Sequence, residues 1–286
     1  MSGLALLLCL ASALAWGLFD TQRKLLARSL DSEALVIRLC LGMVPLAAAA
    51  VLLEGAALPS MDYLLPGLIT LALGIVANLL FMHSLRVSPL SLTIPFLSLV
   101  PAFSVLGAFL LLGEKPSLPA LFGIGLVAIS ALLINGGQGV SLWRALLNER
   151  GSVMMCGVAL LWAMTSVLDK KCLTHSSIAQ HVTLQNLGIG GTLLLRRRLS
   201  GKPMARLDAG RFRGLLLAIV CGLGALSLQL AAIQLTQVSL METLKRVVGL
   251  LMALMLGRIL FGETLRTHTL WAAAGMVLGV ILVVGG

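Results

Sequence analysis

Ten apolar runs separated by short polar connections constrain this chain more than any other feature of its sequence. An α-helix rises about 1.5 Å per residue, so about 20 residues cross the ~30 Å hydrocarbon core of a bilayer. In lipid, a helix satisfies its backbone hydrogen bonds internally. The sequence therefore predicts an all-α membrane protein with ten transmembrane helices, at residues 3–22, 33–54, 63–85, 88–113, 117–137, 150–169, 177–195, 213–235, 238–262 and 267–285.

Composition agrees with a membrane protein and argues against several other classes. Of the 286 residues, 59% are hydrophobic and only 11% are charged, which is more apolar surface than a soluble domain needs. The net charge of +10 does not indicate nucleic-acid binding, because Lys and Arg cluster in the short connections, as is typical of membrane proteins. The five cysteines are scattered singly without a CxxC motif, so neither a disulfide framework nor a metal site is predicted. No cofactor is expected.

The two halves of the chain resemble each other in order and spacing. The first helix of each half contains a similar motif, ALAW ending at Trp16 and ALLW ending at Trp162, and helices 4 and 9 close with LLLGE and ILFGE. Because each half has an odd number of helices, the second half must enter the membrane from the opposite side. We therefore predict two inverted five-helix repeats, residues 1–140 and 141–286, with a binding site between them near the middle of the bilayer.

These motifs resemble the drug/metabolite transporter superfamily and, within it, the ten-helix EamA type. The resemblance rests on Trp16, Trp162, Arg38 inside helix 2 and the repeated Gly-Glu ends. The stretch TIPFLSLVPAFSVLGAFLLLGEKP is also similar to the fourth helix of the family. The resemblance covers the whole chain and implies the fold and a transport function. It does not imply a substrate, because family members carry very different solutes.

Helix 9 carries the most informative charged residues. Its first two turns contain Glu242, Lys245 and Arg246, although each ionised group at membrane depth costs on the order of 2.5–3.5 kcal/mol. Residues three and four positions apart share one face of a helix, so the carboxylate can pair with either cation. We predict a cationic floor of a substrate cavity, with Lys245 facing the cavity and Arg246 paired with Glu242. The alternative is an interfacial pair whose long side chains reach the headgroups.

Other polar, aromatic and proline residues inside the predicted helices are further candidates. Polar and aromatic side chains there are expected to line the cavity. Each of them can instead serve helix packing, interhelical hydrogen bonding or, for the arginine, contact with headgroups. Prolines remove a backbone donor and bend a helix. The cavity candidates are Trp16, Trp162, Arg38, Asn78 and Gln229, and the helix-bending candidates are Pro95 and Pro101.

The distribution of basic residues predicts the orientation in the membrane. The connections 1–2, 3–4, 5–6, 7–8 and 9–10 hold fourteen Lys and Arg residues, whereas the opposite set holds three. The positive-inside rule places the fourteen in the cytoplasm and both termini outside. Members of the family are often described with both termini inside, so the charges and the resemblance disagree, and we follow the charges. The expected location is the cytoplasmic (inner) membrane of a bacterium.

Together these features predict a secondary transporter, an exporter or exchanger of a small organic metabolite that is anionic or amino-acid-like. No Walker motif indicates ATP hydrolysis, and no HExxH or GxSxG motif indicates an enzyme. The alternatives are a flippase for a lipid-linked substrate on the same fold, an intramembrane enzyme and a structural subunit. The expected partners are the small-molecule substrate and the lipid bilayer, and a homodimer is left open.

Overall fold

A computed structural model describes residues 2–27, 29–88, 94–135, 150–204, 207–261 and 267–285. Within these ranges the chain forms ten α-helices and no strand, which confirms the predicted fold class. Short 3-10 segments, Met61–Tyr63 and Ile94–Leu99, precede the third and fourth helices. The helices are α1 (Gly3–Ala27), α2 (Ser32–Glu54), α3 (Leu64–Val87), α4 (Val100–Leu112), α5 (Leu118–Asn135), α6 (Arg150–Cys172), α7 (Ile178–Leu199), α8 (Ala209–Leu235), α9 (Val238–Phe261) and α10 (Thr267–Gly285).

The helices present an apolar outer surface of the kind that contacts lipid. Among the described residues, α1, α2, α3, α6 and α8 are each long and apolar enough to cross a membrane, and α4, α5 and α10 contain shorter apolar stretches. Large apolar side chains are widely exposed, including Leu110 at 77% and Phe122 at 73%. Monomeric soluble proteins rarely expose so much contiguous apolar surface. The chain is therefore a multi-pass membrane protein.

Local sequence signals fix where several helices begin. Asp31 precedes α2 and accepts a hydrogen bond from the Ala34 N–H at 3.2 Å. A reciprocal pair of bonds starts α7, where Ser177 Oγ accepts from the Gln180 N–H at 3.2 Å and Gln180 Oε1 accepts from the Ser177 N–H at 2.9 Å. These bonds satisfy backbone donors that the first turn of a helix leaves without an internal acceptor.

The stretch 88–113 is not one continuous α-helix. Residues 94–99 form a 3-10 segment, and α4 begins at Val100; residues 89–93 lie outside the described ranges. Pro101 lies in the first turn of α4, where its missing backbone donor leaves no hydrogen bond unmade. It therefore begins a helix instead of bending the interior of one, which corrects the placement expected from the sequence. Pro95 lies in the 3-10 segment, and its side chain is outside the described part of the structure.

The most extensive helix contacts join the two halves of the chain. Helix α5 packs along α10, α1 along α8, α3 along α6 and α2 along α7, with smaller contacts between α1 and α9 and between α4 and α6. Exchanging the halves maps the α1–α8 contact onto α6–α3 and the α1–α9 contact onto α6–α4, whereas α2–α7 and α5–α10 map onto themselves. This is the pattern of two inverted repeats related by an approximate two-fold axis.

Glycines let the two helices of the α5–α10 pair approach closely. A Cβ atom added at Gly279 would lie 2.8 Å from the Gly123 carbonyl oxygen and 2.7 Å from Val127 Cγ2, and one added at Gly123 would meet the Gly279 carbonyl oxygen. Small residues at such crossings are typical of helix packing in membranes. By contrast, a Cβ at Gly125, two residues along α5, would have nothing within 4 Å.

Candidate functional site

The first two turns of α9 hold a buried ion pair that side chains from three other helices contact. Glu242 is only 1% exposed, and its Oε1 lies 2.7 Å from Lys245 Nζ. Ser166 of α6 donates to the same Oε1 at 2.8 Å, and Lys245 Nζ donates to Gln229 Oε1 of α8 at 3.1 Å. On α1, the Trp16 ring centroid lies 5.4 Å from Lys245 Nζ, within range of a cation–π interaction. We call these five residues the α9 cluster.

The pairing inside the α9 cluster differs from the predicted one. Arg246 was predicted to pair with Glu242, but the carboxylate pairs with Lys245, so that prediction is wrong. Both cations share a helical face with the carboxylate, and spacing alone does not choose between them. The choice follows from the neighbours, because Gln229 of α8 and the face of Trp16 hold the ammonium group next to Glu242.

Arg246 is left as a half-buried cation beside a pair that is already balanced. Within the described residues it has no hydrogen bond or ion pair, and its Nε is buried without a partner. Besides Glu242, the charged groups that act on it are Asp20 and Arg23, and these two pair with each other at 2.9 Å. Among the described residues, the anions that attract Arg246 are Glu242 and Asp20, and each of them already pairs with another cation.

Two atoms within the α9 cluster also lack partners among the described residues. Glu242 Oε2 is a buried acceptor and Trp16 Nε1 a buried donor, and neither has a hydrogen bond in the described structure. Buried polar groups in proteins are nearly always hydrogen-bonded, to protein or to ordered water. Together with Arg246 Nε, the cluster offers two donors and one acceptor to a polar ligand or to water.

The remaining sequence candidates lie elsewhere in the bundle. Trp162 packs against Phe81 of α3, with ring centroids 5.3 Å apart. Asn78 donates to the Gly74 carbonyl of its own helix at 2.8 Å. Arg38 lies half-buried in α2, where it interacts electrostatically with Arg197 on α7. The structure therefore brings Trp16 and Gln229 to the charged residues of α9, and gives Trp162, Asn78 and Arg38 other surroundings.

A second buried polar group, centred on His181, was not predicted from the sequence and lies at the start of α7. His181 Nδ1 is 3.0 Å from Tyr63 Oη, and its Nε2 is 3.0 Å from Asp169 Oδ1. Gln185 Nε2 donates to Tyr63 Oη at 3.4 Å and to the Gly67 carbonyl at 3.0 Å. The only signal in the sequence is the polar run HVTLQN inside an otherwise apolar helix.

A family model matches both halves of the chain. The model of the EamA-like transporter family matches residues 3–136 and again residues 149–285. The chain belongs to the EamA-like transporter family. This confirms the resemblance drawn from Trp16, Trp162 and the Gly-Glu helix ends.

A solved structure shares the fold of this EamA-like chain. That structure, named only "Crystal structure of protein", is similar over 98% of this chain and 96% of its own, with a TM-score of 0.79 and 15% sequence identity. A comparison with curated proteins gives no significant match. A shared fold does not define a substrate, so the substrate must be argued from the site.

At one end of this EamA-like bundle, an ion pair joins the two repeats. Lys170 Nζ of α6 lies 2.7 Å from Glu114 Oε1, at the end of α4, and also donates to the Thr236 carbonyl at 2.7 Å. The second carboxylate oxygen of Glu114 accepts from the Val238 N–H at 3.0 Å. A carboxylate is favourable at the N-terminus of a helix, so Glu114 of the first repeat holds the beginning of α9 in the second.

The opposite end of the bundle is rich in arginine. Arg197 of α7 pairs with Asp31 and with Glu33 Oε2, and Arg196 Nη1 lies 3.0 Å from Glu33 Oε1. A cavity of about 350 Å³ opens beside them, lined in part by Lys202. Among the described residues, no group of three or more His, Cys, Asp or Glu side chains could hold a metal ion.

Proposed function

We propose that this chain is a secondary transporter of a small organic metabolite with a carboxylate or phosphate group, and that this group binds at Arg246. Its family supports membrane transport, and its inverted repeats support alternating access about a site between them. We expect the protein to act as an exporter or an exchanger. The observation that carries the proposal is a half-buried arginine to which the described residues give no hydrogen bond or ion pair, beside an ion pair that is already balanced.

The physical chemistry of arginine favours an anionic ligand. A guanidinium stays charged, and it binds carboxylate and phosphate oxygens through two parallel hydrogen bonds. A cation at membrane depth is costly unless protein, water or a ligand compensates it. Because Glu242 is already engaged by Lys245 and Ser166, the group best suited to compensate Arg246 is the anionic part of a substrate.

The other unpartnered atoms narrow the class of substrate. Glu242 Oε2 offers an acceptor and Trp16 Nε1 a further donor near the same cluster. A metabolite that joins an anionic group to a hydrogen-bond donor, as an amino acid or a hydroxy acid does, would satisfy both kinds of atom. Lys245 then has a structural role in this proposal, because it holds the Glu242 carboxylate in place.

We also place the transporter in a bacterial cytoplasmic membrane with both termini outside. The proposal rests on charge, because Arg196, Arg197 and Lys202 belong to the basic end of the bundle, whereas Lys170 at the other end is already paired with Glu114. A single Cys at Leu58, in the α2–α3 connection, should react with a membrane-impermeant maleimide in intact cells. Protection of that residue would reverse the orientation.

Flux measurements on purified protein in liposomes test the proposed function. The probe solutes are inorganic phosphate, phosphoenolpyruvate, glutamate, alanine and glucose, each radiolabelled. We expect flux of at least one anionic or zwitterionic probe and none of glucose. Arg246→Gln should lower that flux about 10- to 100-fold, because a charged hydrogen bond contributes about 1.5–3 kcal/mol. Arg246→Lys should recover part of it.

A matched control and a lipid assay complete the test. Arg211→Gln removes an arginine whose pair with Asp208 is largely exposed, and it should transport at the parent rate. Parent-like flux of Arg246→Gln for every probe would refute the role of Arg246. Fluorescent-lipid scrambling by the same liposomes, without solute flux, would favour a flippase instead.

A further inference from the structure

A chain of buried hydrogen bonds crosses from the first repeat to the second at the start of α7. Tyr63 stands in the 3-10 segment before α3, whereas Asp169 and His181 belong to α6 and α7. The two imidazole nitrogens each lie 3.0 Å from an oxygen, Nδ1 from the tyrosine and Nε2 from the carboxylate. His181 is 2% exposed and Tyr63 is 5% exposed. The imidazole is thus held on both sides and removed from solvent.

Few other ionisable groups face this imidazole. Helix α6 contributes the buried Cys172 near Tyr63 and Asp169. The next residue along α6, Lys170, turns its ammonium group to Glu114 and the Thr236 carbonyl instead. On α7 itself, Gln185 is neutral and donates to Tyr63. Asp169 is therefore the one described charge in direct contact with His181.

The hydrogen bonds around His181 suit two protonation states. With neutral imidazole, the Tyr63 hydroxyl donates to Nδ1 and the Nε2–H donates to Asp169. When a proton from water binds to Nδ1, the N–H donates to Tyr63 Oη, and the hydroxyl hydrogen must turn to another acceptor. Gln185 Oε1 belongs to the side chain whose Nε2 contacts the same hydroxyl, and it is buried with no partner among the described residues, so we assign it as that acceptor. The charge of the imidazolium is balanced by the Asp169 carboxylate.

Protonation at this position acts on a contact between the repeats. Two further bonds join the same segments, Gln180 Nε2 to the Ala57 carbonyl at 2.6 Å and the Ser60 N–H to the His175 carbonyl at 3.2 Å. In alternating access one repeat moves against the other, so bonds across this end of the bundle differ between the two states. A proton that binds more tightly in one state shifts the equilibrium towards it.

We infer that His181 is a proton-binding site whose occupancy sets the balance between the two access states of the transporter. This rests on the proposed transport function and deepens it, because it assigns a coupling proton to a site separate from the α9 cluster. Imidazole is the side chain that ordinarily changes charge between pH 5 and 8. Asp169 and Tyr63 are positioning residues in this scheme.

Nitrogen NMR of the histidine rings tests the binding of the proton. The chain has four histidines, so a sample labelled at the imidazole nitrogens gives few signals, and His181→Gln assigns the one of interest. We expect that signal to change from neutral to protonated between pH 8.5 and 5. In Asp169→Asn the protonated form of the ring should be less populated at a given pH, because the balancing charge is lost. A ring that keeps one protonation state throughout would overturn the inference.

A distance measurement tests whether the access states follow the proton. Spin labels at Leu58 and Lys171, both exposed and in opposite repeats, are introduced after the five cysteines are replaced. We expect the label separation measured by electron paramagnetic resonance to differ between pH 5.5 and pH 8.5. His181→Gln should abolish that difference, and the exposed His83, replaced by Gln, should leave it unchanged.

These measurements need no substrate, so their failure differs from a failure of the flux assay. If His181→Gln does not yield folded protein, Asp169→Asn serves as the second variant. In that variant the label separation should change at a lower pH than in the parent, as the protonation of the ring does. A separation that is the same at both pH values, or that changes equally in His181→Gln, would overturn the coupling of His181 to the repeats.

Discussion

Removing either partner of the ion pair between Glu242 and Lys245 should strongly lower the stability of the folded protein. Lys245→Met keeps most of the side-chain volume but leaves a carboxylate that is 1% exposed, with Ser166 as its one hydrogen-bond donor among the described residues. Glu242→Gln leaves the ammonium group with neutral acceptors alone. Removing one partner of a buried pair costs about 3–5 kcal/mol. At about 2–4 °C per kcal/mol for a chain of this order of size, each single variant should melt about 6–20 °C below the parent.

The double variant provides the sharper measurement. With both charges gone, neither residue leaves an unpaired ion, so Glu242→Gln combined with Lys245→Met should be more stable than either single variant. The coupling free energy from this cycle should be about 3 kcal/mol, at the upper end for residues in contact. Thermal unfolding in detergent, followed by a thiol-reactive dye or by light scattering, gives the melting temperatures.

The pair between Asp208 and Arg211 is the matched control. It has the same spacing, i to i+3, but its side chains are 62% and 42% exposed. Exposed pairs contribute about 0–1 kcal/mol, so Arg211→Met should melt within a few degrees of the parent. If Lys245→Met is as stable as Arg211→Met, or the double variant loses the sum of both single effects, the buried pair does not behave as described.

Two further predictions concern the α5–α10 packing and the ion pair between Glu114 and Lys170. Gly123→Ala should lower the melting temperature, because the new Cβ meets the Gly279 carbonyl and overpacking costs about 1–3 kcal/mol. Gly125→Ala has free space around the new Cβ, so it should be neutral or stabilise the protein by up to about 1 kcal/mol. If Gly125→Ala melts lower than Gly123→Ala, the close α5–α10 crossing is contradicted. Exchanging Glu114 and Lys170 should recover less than half of the stability lost in Lys170→Glu, because the carboxylate also accepts from the Val238 N–H and the ammonium also donates to the Thr236 carbonyl. Full recovery by the exchange would mean that only the opposite charges of this ion pair stabilise the protein. Melting temperatures of the variants test both predictions.

The sequence predicts the ten helices and their inversion well because lipid imposes those features. A segment that crosses hydrocarbon must satisfy its own backbone and be apolar over about 20 residues, and both properties are local. The start of α4 is not predicted in the same way. Pro95 and Pro101 show where backbone donors are missing, but the packing of the 3-10 segment against α6 and α5 is a tertiary contact that the sequence does not show.

Partner choice is the part of the site that the sequence leaves undetermined. Lys245 and Arg246 are both within reach of Glu242 along the helix, and the selection comes from Gln229 and Trp16, which are distant in the chain. The hydrogen bonds of His181 cannot be predicted from the sequence for the same reason, because its partner Tyr63 lies 118 positions away in the chain. A polar run in an apolar helix indicates that partners exist without indicating which ones.

The packing of each helix against the opposite half has a consequence for biosynthesis. Helix α1 ends at residue 27 and its main partner α8 begins at residue 209, so 209 − 27 = 182 positions separate them in translation order. At about 5–20 residues per second, the ribosome needs roughly 10–40 s to supply that partner. During this interval Ser12, which donates to the Ala225 carbonyl, and Glu33, which pairs with Arg196 and Arg197, have not met their acceptor or cations. The first half is therefore synthesised before the residues that satisfy these polar groups in the folded protein exist.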